Sequence, residues 1–250
     1  MAHSISKRKK PSRDDYVLKE ERKLESEVFD HETLRVLAKI MKKGIIATVD
    51  FPLNTGKEAN VFRATTPDGT FLAIKIYKME TAPFLRKIEY IEGDPRFKGI
   101  KKNDRELVLA FARKEFKNLK LCEEAGVNAP RVIYLDKNVL IMSFVGEKDL
   151  AYPNMNQAPW ADEKDLDSIL NDIRKMYRAG LVHADISEYN ILASKPPVLI
   201  DFGQGVTLAH NRAMEYLERD VRNILSYFEK KGIRRDFVKT LEWIKKDGKK

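Results

Sequence analysis

Residues 181–204 read LVHADISEYNILASKPPVLIDFGQ. A helical pattern over about 163–179 runs into this stretch and stops at Gly180, a residue suited to the left-handed turn that closes a helix. Asp185 and Asn190 then lie five positions apart in a polar loop, and Lys195-Pro196-Pro197 turns the chain. The apolar run Val198-Leu199-Ile200 reads as a short strand that delivers Asp201 at its end, ahead of Phe202 and Gly203. Two carboxylates and one amide are therefore set on loops at the ends of regular elements, the usual place for working residues on a rigid frame.

Upstream, residues 54–78 read NTGKEANVFRATTPDGTFLAIKIYK. Strands near 58–65 and 70–78 flank the turn Pro67-Asp68-Gly69. In the second, Phe71, Ala73, Lys75 and Tyr77 share one face, and Leu72, Ile74 and Ile76 share the other. A lysine in so apolar a strand needs a partner, since an unpaired buried ammonium is costly. From Asp104 to the stop at Gly126, Leu107, Ala110, Phe111, Lys114, Glu115, Asn118, Leu119 and Cys122 recur at helical spacing, which sets Glu115 beside the apolar stripe as a partner for Lys75.

The remaining chain organises around these segments. Asp30 is placed to cap a helix that ends at Gly44, and Ile45–Leu53 reads as a strand. Residues 79–105, with Pro83, Gly93, Pro95 and Gly99 among many charges, read as a mobile loop. Two strands near 131–135 and 138–144 precede a connector, and helices over about 212–230 and 234–246 follow Asp201. Strands with one main helix come first and helices dominate later, which predicts an α+β, two-lobed molecule. The divisions are a basic arm over 1–29, an N-lobe over 30–142, a hinge over 143–150 and a C-lobe over 151–250.

The chain has 250 residues, 43% of them apolar and 34% charged, the composition of a globular domain with a sizeable core. No apolar run approaches the roughly 20 residues that span a bilayer, no apolar segment follows Lys7–Lys10, and the lone Cys122 leaves no internal disulfide, so a cytoplasmic location is expected. Cys122 falls on an apolar helical face and reads as core. The net charge of +9 gathers at the two ends, which suit an anionic partner such as RNA or serve as solvated tails.

The chemistry these residues fit is phosphoryl transfer, which needs a carboxylate beside the attacking oxygen, oxygen ligands for a cation, and cations on the phosphates. Asp185 suits the first task, Asn190 and Asp201 supply hard oxygens for Mg²⁺, and Lys75 held by Glu115 suits the third. Taken singly each has a plainer reading: Lys75–Glu115 as a structural ion pair, and His183 as a packed loop histidine. Asp220 reads either as an acceptor for catalytic-loop N–H groups or as a surface acid.

NTGKEANVF, LVHADISEYNIL and LIDFGQ together resemble the RIO family of atypical serine/threonine kinases, in the Rio1-type form of archaea and eukaryotes, over about residues 30–230. The resemblance implies a bilobal protein-kinase-like fold that binds ATP or GTP with Mg²⁺, for which Mn²⁺ can substitute. It places the phosphate-binding loop at Thr55, Gly56, Lys57 and Glu58. It makes Met142 the gatekeeper and gives the adenine edge to the backbone of Ser143 and Val145. Catalysis falls to Asp185 and Asp201, with Asn190 and Asp201 on the metal. It further implies serine/threonine kinase or ATPase activity and a role with a small ribosomal subunit precursor, its RNA and its proteins. Only about ten residues separate Asp201 from the next helix, so the peptide-docking activation segment of ordinary kinases is missing, and Ser187 stands where those kinases carry a lysine. The alternatives are a small-molecule kinase of the aminoglycoside or choline type, and a non-catalytic scaffold that binds ribosomal precursors.

Overall fold

The computed structural model describes residues 29–79, 82–85, 87–97, 104–147 and 149–246; most of the expected basic arm lies outside them. Helix α1 (His31–Lys42) starts where Asp30 Oδ1 accepts the Thr33 N–H at 2.6 Å, and it ends at Gly44 with φ +69°. Five antiparallel strands follow in spatial order β1-β2-β3-β5-β4: β1 (Thr48–Thr55), β2 (Ala59–Thr65), β3 (Phe71–Tyr77), β4 (Val132–Asp136) and β5 (Val139–Ser143). β1 begins later than the apolar Ile45-Ile46 pair led one to expect. Those residues pack under α1 instead, Ile46 fully buried, and the strand takes up the edge register at Thr48. Pro52 is tolerated there because an edge strand can spare an N–H, and the register shifts on both sides of it.

The alternation along β3 sorts two cores. Leu72, Ile74 and Ile76 face α1 and pack with Val36, Leu37 and Ile40. Ala73 and Tyr77 face the other way, onto the long helix α4 (Asp104–Glu124). Between β3 and α4, where a loop was expected, the chain forms short helices α2 (Ala82–Leu85) and α3 (Glu89–Glu92) and a 3₁₀ turn at Pro95–Phe97. Phe84, Tyr90, Ile91 and Phe97 anchor them in the core, each burial being worth about 1.5–3 kcal/mol.

A two-stranded ribbon, β6 (Gly146–Glu147) with β7 (Leu150–Ala151), leads from the sheet to α5 (Glu163–Arg178), which opens on a capping box between Asp162 and Asp165. Two small ribbons then hold the decisive stretch: β9 (Ile191–Leu192) pairs β10 (Val198–Leu199), and β8 (Leu181–Val182) pairs β11 (Val206–Thr207). Helices α6 (Ala213–Glu229) and α7 (Phe237–Lys245) complete the helical half, and their apolar faces merge with that of α5. The α+β expectation holds. Among the described residues no helix is long and apolar enough to cross a membrane.

Candidate active site

A cleft of about 710 Å³ separates the sheet from the ribbons. Gly56, Lys57 and Glu58 line it from the β1–β2 turn, Lys75 from β3, and Glu115 from α4. Met142, Ser143 and Val145 line it at the end of β5, and Asn190 and Asp201 from the ribbon half. Thr55 and Asp185 are not on its wall: Thr55 pairs with Asn60 at the sheet edge, and Asp185 stands behind Asn190. The apolar walls Ala73, Met142 and Ile200 close a slot of the kind that takes a flat heterocycle.

Lys75 ties the two sides together. Its Nζ lies 2.9 and 2.7 Å from the two Glu115 oxygens and 2.8 Å from Asp201 Oδ1. Burial alone would depress this lysine, but the two carboxylates outweigh it and raise its pKa above the ordinary value. Glu115 is buried and therefore shifted upward, while Asp201, with the ammonium in contact, stays below the usual carboxylate range. The Tyr77 hydroxyl also donates to Glu115, and burial pushes that phenol well up. Sequence alone had Tyr77 on the right face but gave no reason to pick it out.

The loop carrying Asp185 is pinned from α6. The Asp220 carboxylate, 1% exposed, accepts the N–H groups of Ala184 at 2.7 Å and Ile186 at 2.9 Å. The surface-acid alternative for Asp220 is therefore wrong. Burial lifts Asp220 to about 7 against the pull of those two donors. Ala184 sits at φ +64°, a backbone state held by Asp220 on its N–H and by Arg219 on its carbonyl. His183 packs as expected, with Nε2 3.1 Å from the Ile200 carbonyl and its ring 4.5 Å from that of Phe202; burial drops its pKa to about 4. Asp185 itself is raised to about 6, first by burial and then by the charge of Asp201.

Several contacts at the site join residues that no sequence pattern pairs. Asn190 Nδ2 donates to the Asp185 carbonyl at 2.8 Å and to its Oδ2 at 3.1 Å, and Gln204 Nε2 donates to the same Oδ2 at 2.7 Å. Lys114, fully buried, places its Nζ on the carbonyls of Gly203, Gln204 and Gly205. Asn118 donates to those of Phe202 and Gly205, both at 2.8 Å. Lys87 reaches into the cleft and pairs with Glu58 at 2.6 Å. Helical spacing did place Lys114 and Asn118 on the stripe, but nothing local named the carbonyls they would meet.

The donor set suits Mg²⁺. Among the described residues Asn190 Oδ1 and Asp201 Oδ2 accept no protein hydrogen bond, and both residues line the cleft. Among the described residues no group of three or more His, Cys, Asp or Glu could hold a metal. A site of one carboxylate and one amide oxygen is what Mg²⁺ uses when substrate phosphates and water complete its shell.

Comparison with known proteins identifies the family. The RIO domain family matches residues 60–241. The chain is 36% identical over 252 residues to a RIO-type serine/threonine-protein kinase Rio1 of Haloferax volcanii, covering 98% of this chain and 87% of that one. It is 41% identical over 186 residues to the protein of the same name from Thermoplasma acidophilum, covering 74% of this chain and 99% of that one. The Rio2 kinase of Chaetomium thermophilum, solved as an ADP/Mg²⁺-phosphoaspartate complex, shares the fold with a TM-score of 0.62 and 24% identity; the match covers 85% of this chain and 66% of that one. With the matched domain taking in the Lys75 bridge, both ribbons and the cleft wall apart from the β1–β2 turn, the chain belongs to the RIO family of atypical serine/threonine kinases.

Proposed function

We propose that the chain transfers the γ-phosphoryl group of ATP with Asp185 as the group that orients the attacking oxygen and takes its proton. The supporting observation is that Asn190 and Gln204 both hold Asp185 Oδ2, while Oδ1 accepts no hydrogen bond among the described residues. A carboxylate with one oxygen fixed and the other free, its pKa near 6, is matched to general base work close to neutrality. On this reading the backbone at Gly56, with Lys57 and Lys75, receives the phosphates, Thr55 and Glu58 shape that turn, and Glu115 steers Lys75. Met142 and the backbone of Ser143 and Val145 receive the base. Asn190 and Asp201 hold Mg²⁺ or Mn²⁺, which when bound supplies charge neutralisation on the phosphates. The domain scheme follows, with 30–142 and 151–250 as lobes joined by 143–150 and the basic arm 1–29 ahead of them.

The physiological setting we propose is cytoplasmic maturation of the small ribosomal subunit, supported by kinship with Rio1-type kinases and by the basic ends. A second mechanism has its own support. Only residues 202–212 separate Asp201 from α6, leaving no long segment to dock a peptide, and the Asp201 carboxylate faces the cleft. ATP hydrolysis through a transient phosphoryl group on Asp201 would use the same parts. The test is turnover of radiolabelled ATP with Mg²⁺, with and without purified small-subunit precursors. Asp185→Ala and Asp201→Ala are each expected to lose at least about 10²-fold; undiminished activity in both sinks the mechanism. Stimulated hydrolysis with no stably labelled protein favours the ATPase form over the kinase form.

A further inference from the structure

Gln204 lies in the 3₁₀ turn Phe202–Gln204, immediately after the strand that delivers Asp201. The residue is 8% exposed, and its amide nitrogen is 2.7 Å from Oδ2 of Asp185, nineteen positions earlier. An ionised carboxylate only accepts, so the amide must present N–H to it. The turn is held from outside by α4. Lys114 Nζ bonds the carbonyls of Gly203, Gln204 and Gly205, and Asn118 Nδ2 bonds those of Phe202 and Gly205. Gly205 admits that contact because a Cβ there would stand 2.8 Å from Asn118 Nδ2. A buried ammonium and a buried amide therefore converge on four consecutive carbonyls whose chief projecting polar side chain is Gln204. Ordering so many polar groups around one small turn is costly unless its position matters.

We infer that Gln204 is a positioning residue for the reaction, fixing the rotation of the Asp185 carboxylate so that Oδ1 faces the acceptor oxygen, with Lys114 and Asn118 setting where Gln204 stands. Asn190 divides its NH₂ group between the Asp185 carbonyl at 2.8 Å and Oδ2 at 3.1 Å, so Gln204 supplies the shorter of the two bonds to that oxygen, and the Asn190 oxygen is left for a cation. The assignment rests on the reading of Asp185 as the base. It also couples the state of α4, which carries Glu115, to the orientation of Asp185: the same helix grips Lys75 on one side and the Gln204 turn on the other.

The test uses the full chain in steady-state turnover of Mg-ATP, with ATP affinity measured separately. Gln204→Met keeps the volume and removes the donor. It is expected to lower kcat about tenfold or more, the loss of one charge-assisted hydrogen bond, with KM for ATP changed less than about twofold. Gln204→Glu, of the same size, places a second carboxylate against Asp185 and is expected to lose at least as much. Asp185→Asn should lose more than either, and the double variant Asp185→Asn with Gln204→Met should be no worse than Asp185→Asn alone. A role in packing alone would leave the Met variant at wild-type kcat, and that result overturns the assignment. So do losses that multiply in the double variant. If Asp185→Asn retains full turnover while ATP still binds, the reading of Asp185 as base fails first and the role of Gln204 falls with it.

Discussion

His183 donates from Nε2 to the Ile200 carbonyl, and its Nδ1 is buried without a partner among the described residues. A proton added at Nδ1 would be a buried charge, which is why the ring resists protonation until about pH 4, well below its ordinary value of 6.5. In the window between those values the unfolded chain binds a proton that the folded chain refuses, so stability is full above pH 6.5 and falls as the pH drops through the window. The expected loss by pH 4.5 is about 2–3 kcal/mol. Urea melts of wild type and His183→Gln at pH 7 and pH 4.5 isolate it, because the carboxylates common to both cancel. A wild-type curve that tracks the variant at both pH values would show that the histidine is not held neutral. The same residue marks what sequence could and could not tell. HADISEYN and IDFGQ placed Asp185, Asn190 and Asp201 together because the chemistry fixes their spacing. Gln204 and Lys114 act across nineteen and about ninety positions, on a carboxylate and on backbone carbonyls, and no local pattern encodes such a meeting.

Helix α6 reaches the catalytic loop through Asp220, with Arg219 on the Ala184 carbonyl and Asn223 on that of Ile186, and the turn leading into α6 meets α3 through a tighter contact. A Cβ on Gly93 would sit 2.1 Å from His210 Nε2, and that same ring nitrogen bonds the Glu89 carbonyl at 3.0 Å. Arg212 pairs with Glu89, and the Tyr90 and Tyr216 rings stack at 5.1 Å. Gly93→Ala should therefore lift α3 from α6, lowering the melting temperature and opening residues 82–97 to protease at unchanged buffer conditions. Cleavage no faster than wild type would mean the contact yields without strain. Asp220→Ala strands two buried N–H groups and is expected to cost about 2–4 kcal/mol in urea unfolding, beyond any effect on turnover. These element-level contacts also explain why the short helices within 82–97 left no mark in the sequence. Phe84, Tyr90, Ile91 and Phe97 each anchor a single turn, so no periodicity builds up between the charges. By contrast α4 and β3 were legible because repeated spacing put Glu115 and Lys75 on facing surfaces, and Asp30 and Gly44 bounded α1 by plain capping chemistry.

Across the whole molecule, Lys75 joins the sheet, α4 and the ribbon that ends in Asp201. Lys75→Met leaves Glu115 charged, 1% exposed and, among the described residues, supported only by the Tyr77 hydroxyl. Breaking one half of such a pair is expected to cost about 3 kcal/mol at pH 8, and less at lower pH, where Glu115 can take up a proton. Denaturant midpoints at two pH values check both statements. Among the described residues the sheet that anchors this lysine has β1 and β4 as its edge strands, and each is irregular. β1 carries Pro52 with a register break on either side, and β4 breaks register between Val132 and Tyr134, where Ile133 turns outward. A foreign strand would find no continuous row of donors and acceptors along either margin. Fibril seeding and strand-exchanged pairing are thereby disfavoured, so the chain should stay dispersed in crowded solution even while its nucleotide cleft stands open.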